Sequence, residues 1–203
     1  DGTTSVGQLA DLVRAARQGL TVGALLGADI LDASALGGAQ GAALPPLTLP
    51  TIAPDAACPV TTAFSSPSKD LGVMAGTGVA RPVGLNPDGP LDASGMADSQ
   101  SDGWGGAKIV WALKDGAGVA LVRGRQLDGG GAIGFNEATT RVRAILLQSS
   151  SAASLTKGAA NVQLLDGGWY GIVTAAWFSA APGCYGFQID SAAGTSTVIF
   201  DVT

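Results

Sequence analysis

Histidine is absent from this chain of 203 residues. Without it there is no Ser-His-Asp or Cys-His nucleophile, no HExxH zinc site, no CxxCH haem attachment and little proton-shuttle chemistry at neutral pH. Glutamate occurs once, at Glu137, which leaves out paired-Glu glycoside hydrolysis. Charge of either sign is scarce: 13% of residues, against about 25% in an ordinary domain. The 11 basic residues are scattered and the net charge is −5, so the clustered cations that a nucleic-acid partner requires are missing. Arg123, Arg125, Arg141 and Arg143 form the one local concentration, and the plainest reading makes them solvated strand ends. No apolar run reaches the ~20 residues of a bilayer-crossing helix.

What is present is small and apolar. Hydrophobic residues make up 46% of the chain, glycine contributes 31 residues and the mean hydropathy is +0.32. Such a chain can bury a core, but its exterior is built from Ala, Gly, Ser, Thr and backbone, a surface suited to being partly hidden in an assembly or to an extracellular setting. Cys58 and Cys184 lie far apart and in no metal-binding or CxxC pattern. One long-range disulfide, worth on the order of 4 to 5 kcal/mol, is the simplest reading and implies an oxidising compartment; the alternative is two buried thiols. The sequence opens at Asp1 without Met or signal peptide, as expected of a processed, exported protein.

Three parts follow in order. Residues 1–44 read as a helical arm: Ser5 and Gln8 form a capping box, Val6, Leu9, Ala10 and Val13 an apolar stripe, and Gly19 a stop. A second helix is expected from Thr21 to about Ala35. Residues 45–57 are an extended linker set by Pro45, Pro46, Pro50 and Pro54, with Leu47, Leu49 and Ile52 placed to dock at a sheet edge. Residues 58–203 are a β-domain. Its strands are expected over Val60–Ser65, Val73–Val79, Lys108–Lys114, Val119–Arg123, Ala132–Phe135, Arg141–Gln148, Asn161–Leu164, Tyr170–Phe178, Cys184–Ile189 and Ser196–Val202. The stretch Arg81–Gly103 reads as an extended loop. Ala107 to Asn136 carries the clearest pattern, two alternating runs about Asp115–Gly118, which predicts a β-hairpin. The last three runs predict a meander. The fold class expected is therefore mainly β: an antiparallel, immunoglobulin-like sandwich with a helical and Pro-rich N-terminal arm.

Cys58-Pro59-Val60-Thr61, the strand with Trp111, Val122-Arg123-Gly124-Arg125-Gln126-Leu127-Asp128-Gly129 and Pro182-Gly183-Cys184-Tyr185 together resemble a group of uncharacterised bacterial secreted or lipoprotein-type domains. Those show CPxT near the start, GRxLDG in the middle and PGC followed by Trp or Tyr near the end. The resemblance covers Cys58 to Thr203. It implies a disulfide-linked, Ig-like, exported β-domain, and it brings no catalytic residues with it.

Among candidate sites, Trp104, Trp169 and Tyr170 stand beside loops and are expected to sit near one another as a stacking platform for polysaccharide, whereas Trp111 and Trp177 read as core. Asp88, Asp92, Asp98 and Asp102 could bind calcium, but the EF-hand spacing is missing and turn chemistry accounts for them. Gly129-Gly130-Gly131 lacks the Lys-Ser/Thr of a phosphate loop. A Lys–Asn isopeptide bond would need Asn86, Asn136 or Asn161. No cofactor and no metal site is expected. The function expected is that of a non-enzymatic, exported structural subunit at the cell surface or outside it, forming a homo-oligomer or part of a larger assembly through its arm; a carbohydrate-binding module is the alternative.

Overall fold

The structure is a computed structural model, and it describes residues 30–32, 46–66, 72–85, 89–94, 103–135, 141–148, 162–165 and 167–203. Twelve strands lie among them: β1 Ile30–Asp32, β2 Ala63–Ser65, β3 Val73–Ala75, β4 Ala80–Val83, β5 Gly105–Lys114, β6 Val119–Gln126, β7 Ile133–Phe135, β8 Ala144–Gln148, β9 Val162–Leu165, β10 Trp169–Phe178, β11 Gly183–Ser191 and β12 Gly194–Val202. They form two antiparallel sheets. The smaller runs β1-β8-β6-β11-β12; the larger runs β2-β3-β4-β5-β10-β7, with β9 beside the other half of β10.

The sheets pack face to face because their strands alternate. Ile109, Trp111 and Leu113 of β5 and Ile172, Ala176 and Phe178 of β10 point inward from one sheet. Ala120 and Val122 of β6, Tyr185, Phe187 and Ile189 of β11, and Val198, Phe200 and Val202 of β12 point inward from the other, all in one buried cluster. Aromatic edges lock the two layers: Trp111 meets Phe187 at 5.1 Å and Phe178 meets Tyr185 at 5.0 Å, each in T-shaped contact. The buried Trp111 indole donates to Thr174 Oγ1 at 3.0 Å, so its one polar group is satisfied inside the core.

The expected hairpin is not formed. Lys114, at the end of β5, pairs with Trp169, and Val119, at the start of β6, pairs with Gln148, so the two strands belong to different sheets. Asp115–Gly118 turns a corner of the sandwich, with Gly116 and Gly118 both at positive φ. The alternation is that of two real strands, but a hairpin and an intersheet corner look alike in sequence. The ten registered pairs of β5 with β10 outweigh any local pairing with β6. The expected meander splits the same way: β11 and β12 pair through nine residues about Ala192-Ala193, whereas β10 lies in the opposite sheet.

Two further corrections lie toward the N-terminal side. Part of the expected second helix, Ile30–Asp32, is instead strand β1, laid along the edge strand β8 with Leu31 opposite Leu146. An open sheet edge imposes extended backbone on a segment whose local helix preference is weak. Arg81–Val83, expected in a loop, belongs to β4, where Arg81 pairs with Ala112. The helix expected over Ser5–Gly19 lies outside the described residues, as do Asn86, Asn136 and Asn161.

Candidate functional site

The outward face of the smaller sheet carries the chain's most elaborate chemistry, and the proline-rich segment lies across it. On β11, inward Phe187 and Ile189 alternate with Gln188 and Asp190; on β6, Val122 alternates with Arg123 and Arg125. The outward residues meet. Arg123 Nη2 donates to Asp190 Oδ2 at 2.6 Å, Thr195 Oγ1 donates to Asp190 Oδ1 at 2.7 Å and Gln188 Nε2 reaches both carboxylate oxygens at 3.1 Å. Arg123 and Asp190 are 8% and 1% exposed, so this is a buried ion pair whose desolvation is offset by surrounding hydrogen bonds.

The same side chains hold the linker. Gln188 Oε1 accepts from Thr48 N at 2.7 Å and from Thr48 Oγ1 at 3.1 Å, while Gln188 Nε2 donates to Pro46 O at 3.0 Å. Arg125 Nη2 reaches Leu49 O at 2.8 Å, Pro50 O at 3.0 Å and Thr51 Oγ1 at 3.1 Å. Proline-rich backbone has few N–H groups but many free carbonyls, which a guanidinium and an amide can satisfy. Leu49 tucks against Leu127 and Cys184, with Ile52 and Cys58 beside them. The linker was expected at a sheet edge; it lies instead over the two internal strands of its own chain. Arg123 and Arg125, expected in solvent, act as its clamps.

Cys58 and Cys184 are disulfide-bonded, and the three short motifs converge on that bond. Leu127 N donates to Cys184 O at 2.7 Å and Asp128 Oδ2 accepts from Cys184 N at 2.9 Å. Thr61 N donates to Ile199 O, and Thr61 Oγ1 accepts from Ile199 N, both at 2.8 Å. Tyr185 is fully buried below; burial pushes its phenol up to about 12, the Ala180 backbone pulling the other way and the Asp128 carboxylate adding to the rise. CPxT, GRxLDG and PGCY thus read as one structural corner that fastens the linker to β6, β11 and β12.

The aromatic candidates are not brought together. Trp169 pairs with Lys114, and Trp104 precedes Gly105 at the other end of β5, so strand β5 separates them by roughly 33 Å. Trp169 packs on Met74, Val83, Ala112 and Leu165, with the Arg81 guanidinium 4.8 Å from its ring centre. Tyr170 is buried at 2% exposure, pointing inward with Ile172, and presents no stacking face. Trp104 alone borders an open groove, of about 310 Å³, lined also by Ala93, Ser94, Ala181, Pro182 and Thr203. Arg141 and Arg143 lie 4.6 and 5.5 Å from its ring centre. Trp111 and Trp177 are buried as expected. Of the Asp-rich loop, Asp92 is described: its Oδ1 accepts from Ser94 N at 2.8 Å, the turn role expected of it, and the Ser94 hydrogen bonds hold its carboxyl below the usual range. Asp88, Asp98 and Asp102 lie outside the described residues. No group of three or more metal-binding side chains occurs among the described residues, and no described helix is long and apolar enough to cross a membrane.

No protein-family model, curated protein or solved structure matches the chain. Gln188, Asp190 and Thr48 were missed in the sequence. Polar Gln188 and Asp190 alternating with apolar Phe187 and Ile189, matched by Arg123 and Arg125 at the same spacing, are the available signal.

Proposed function

We propose that this chain is a non-enzymatic, exported structural subunit, an Ig-like β-domain that assembles with further copies of itself through the segment before its proline-rich linker. The observation that carries the reading is the placement of β1: an extended piece from the N-terminal arm adds a strand to the β8 edge of the smaller sheet. Strand addition at an edge is a general means of joining chains, because backbone hydrogen bonds supply the affinity whatever the side chains are. The disulfide supports an oxidising, exported setting. A surface with few charges supports a role in which part of it is covered. The linker itself is fastened to its own domain, so on this reading assembly runs through the arm that precedes it. The reading is tested by the native mass of the full chain, which it places at several copies.

The groove beside Trp104 favours a second reading, a carbohydrate-binding module. An indole at the wall of an open groove suits the apolar face of a sugar ring. On this reading Trp104→Ala abolishes retention on a glycan array and leaves the melting temperature within about 2 °C, whereas unchanged retention removes it.

A further inference from the structure

The smaller sheet ends in a corner where an edge and an apolar face coincide. Across it runs one register row: Leu31 of β1, Leu146 of β8, Leu121 of β6, then Asp190 and Thr195. Leu121 lies between inward-facing Ala120 and Val122, and Leu146 between inward-facing Ile145 and Leu147, so both leucines point away from the core. They are nevertheless 0% and 1% exposed. The outward side of this corner is therefore covered as completely as the inward side, and β1 closes its edge.

The closing strand is short and separately tethered. It makes three registered pairs, all with β8. Residues 33–45 follow it, rich in alanine and with Gly37, Gly38 and Gly41, and Pro46 then meets the fixed clamp of Gln188. Thirteen residues reach up to about 45 Å when extended. That is more than the width of a small domain, so nothing in chain length ties β1 to the edge of its own copy.

We propose that β1 is an exchangeable strand: Ile30–Asp32 of one copy pairs with and closes the β8 edge of a second copy, at the end of its Leu121–Leu146 row. Exchange conserves every contact, since the incoming segment is identical to the one it replaces, and the scarcity of charge leaves little repulsion between copies. Reciprocal exchange gives a closed dimer, and one-way donation an open chain. The clamp over Pro46–Thr51 and the Cys58–Cys184 bond mark where the exchanged part ends. The inference rests on the assembly reading above and names the surface it uses.

The test mixes two variants of the full chain, Leu31→Cys and Leu146→Cys, co-refolded with the native disulfide intact at several concentrations and then oxidised. A cross-linked heterodimer joined between the peptides carrying positions 31 and 146, rising at least severalfold with concentration, is the expected result. The double variant Leu31→Cys/Leu146→Cys in one chain checks the register, and near-ultraviolet circular dichroism checks that each variant folds. If the double variant links only within itself and the mixture yields no heterodimer at any concentration, exchange is overturned. If neither preparation links, the β1–β8 register is wrong and exchange falls with it. Light scattering on the same samples separates the two ideas: a multi-copy particle without the heterodimer overturns exchange alone, and a monomer throughout overturns the assembly reading as well.

Discussion

Gln188 shows how one side chain can organise a segment that cannot organise itself. Proline-rich backbone lacks the donors to pair with a strand, so the amide of Gln188 takes both parts, accepting from Thr48 and donating to Pro46. Gln188→Leu removes these bonds but keeps the bulk. It is expected to cost about 2 kcal/mol and to raise hydrogen exchange at the Thr48 amide by tenfold or more. Unchanged exchange there would mean the segment is held by the disulfide and Leu49 alone. Tyr185 makes a prediction of opposite sign to that of a carboxylate held ionised by an ion pair. Its phenol is held protonated to about 12, above its ordinary value near 10, so the folded state binds that proton more tightly than the unfolded chain. Its contribution is complete below pH 10 and is lost as pH rises through 12, a fall on the order of 2 kcal/mol. Denaturant midpoints for wild type and Tyr185→Phe should diverge between pH 8 and pH 12; parallel curves would contradict this. Gly106 shows a purely steric demand. The Trp177 ring lies across it in the pairing of β10 with β5, and a Cβ there would overlap the indole.

Among the elements, strands were legible because their signal is local. Trp111 among alternating apolar residues, and Val198 to Val202 at the end, place β5 and β12 within a few residues of their observed bounds. Partnership was not legible. Asp115–Gly118 and Pro182-Gly183 look like hairpin turns, yet each carries the chain from one sheet to the other, because only the long-range pairing of β5 with β10 and of β6 with β11 decides which edges remain free. The arm was harder still: its apolar, glycine-broken sequence suits helix and strand about equally, and the β8 edge chooses strand at Ile30–Asp32. Of the candidate site, the disulfide and the shared face of Arg123 and Arg125 could be read in advance, whereas the clamp on Thr48 depends on a contact 140 residues away. The linker is therefore an integral part of the domain. A chain lacking residues 1–45 loses β1 and opens the β8 edge, and should still fold but with a lowered melting temperature. One lacking residues 1–57 also loses Leu49 and its clamp and should melt at least roughly 10 °C lower. Equal melting temperatures for the two truncations, by calorimetry, would show that the linker adds no stability.

At the scale of the whole molecule, composition and fold point the same way. A chain with 13% charged residues folds into two antiparallel sheets, places its one described buried ion pair under its own linker and completes a sheet edge with a strand drawn from its N-terminal arm. On the proposed reading, these features suit a molecule that offers backbone and small apolar groups, in place of charge, to its neighbours. The most direct test is the mass and shape of the native particle, by light scattering after size exclusion with negative-stain imaging. The account predicts a particle of several copies, closed or filamentous, whose mass is a multiple of the 19.9 kDa chain. A monomer of that mass across the whole concentration range would contradict it.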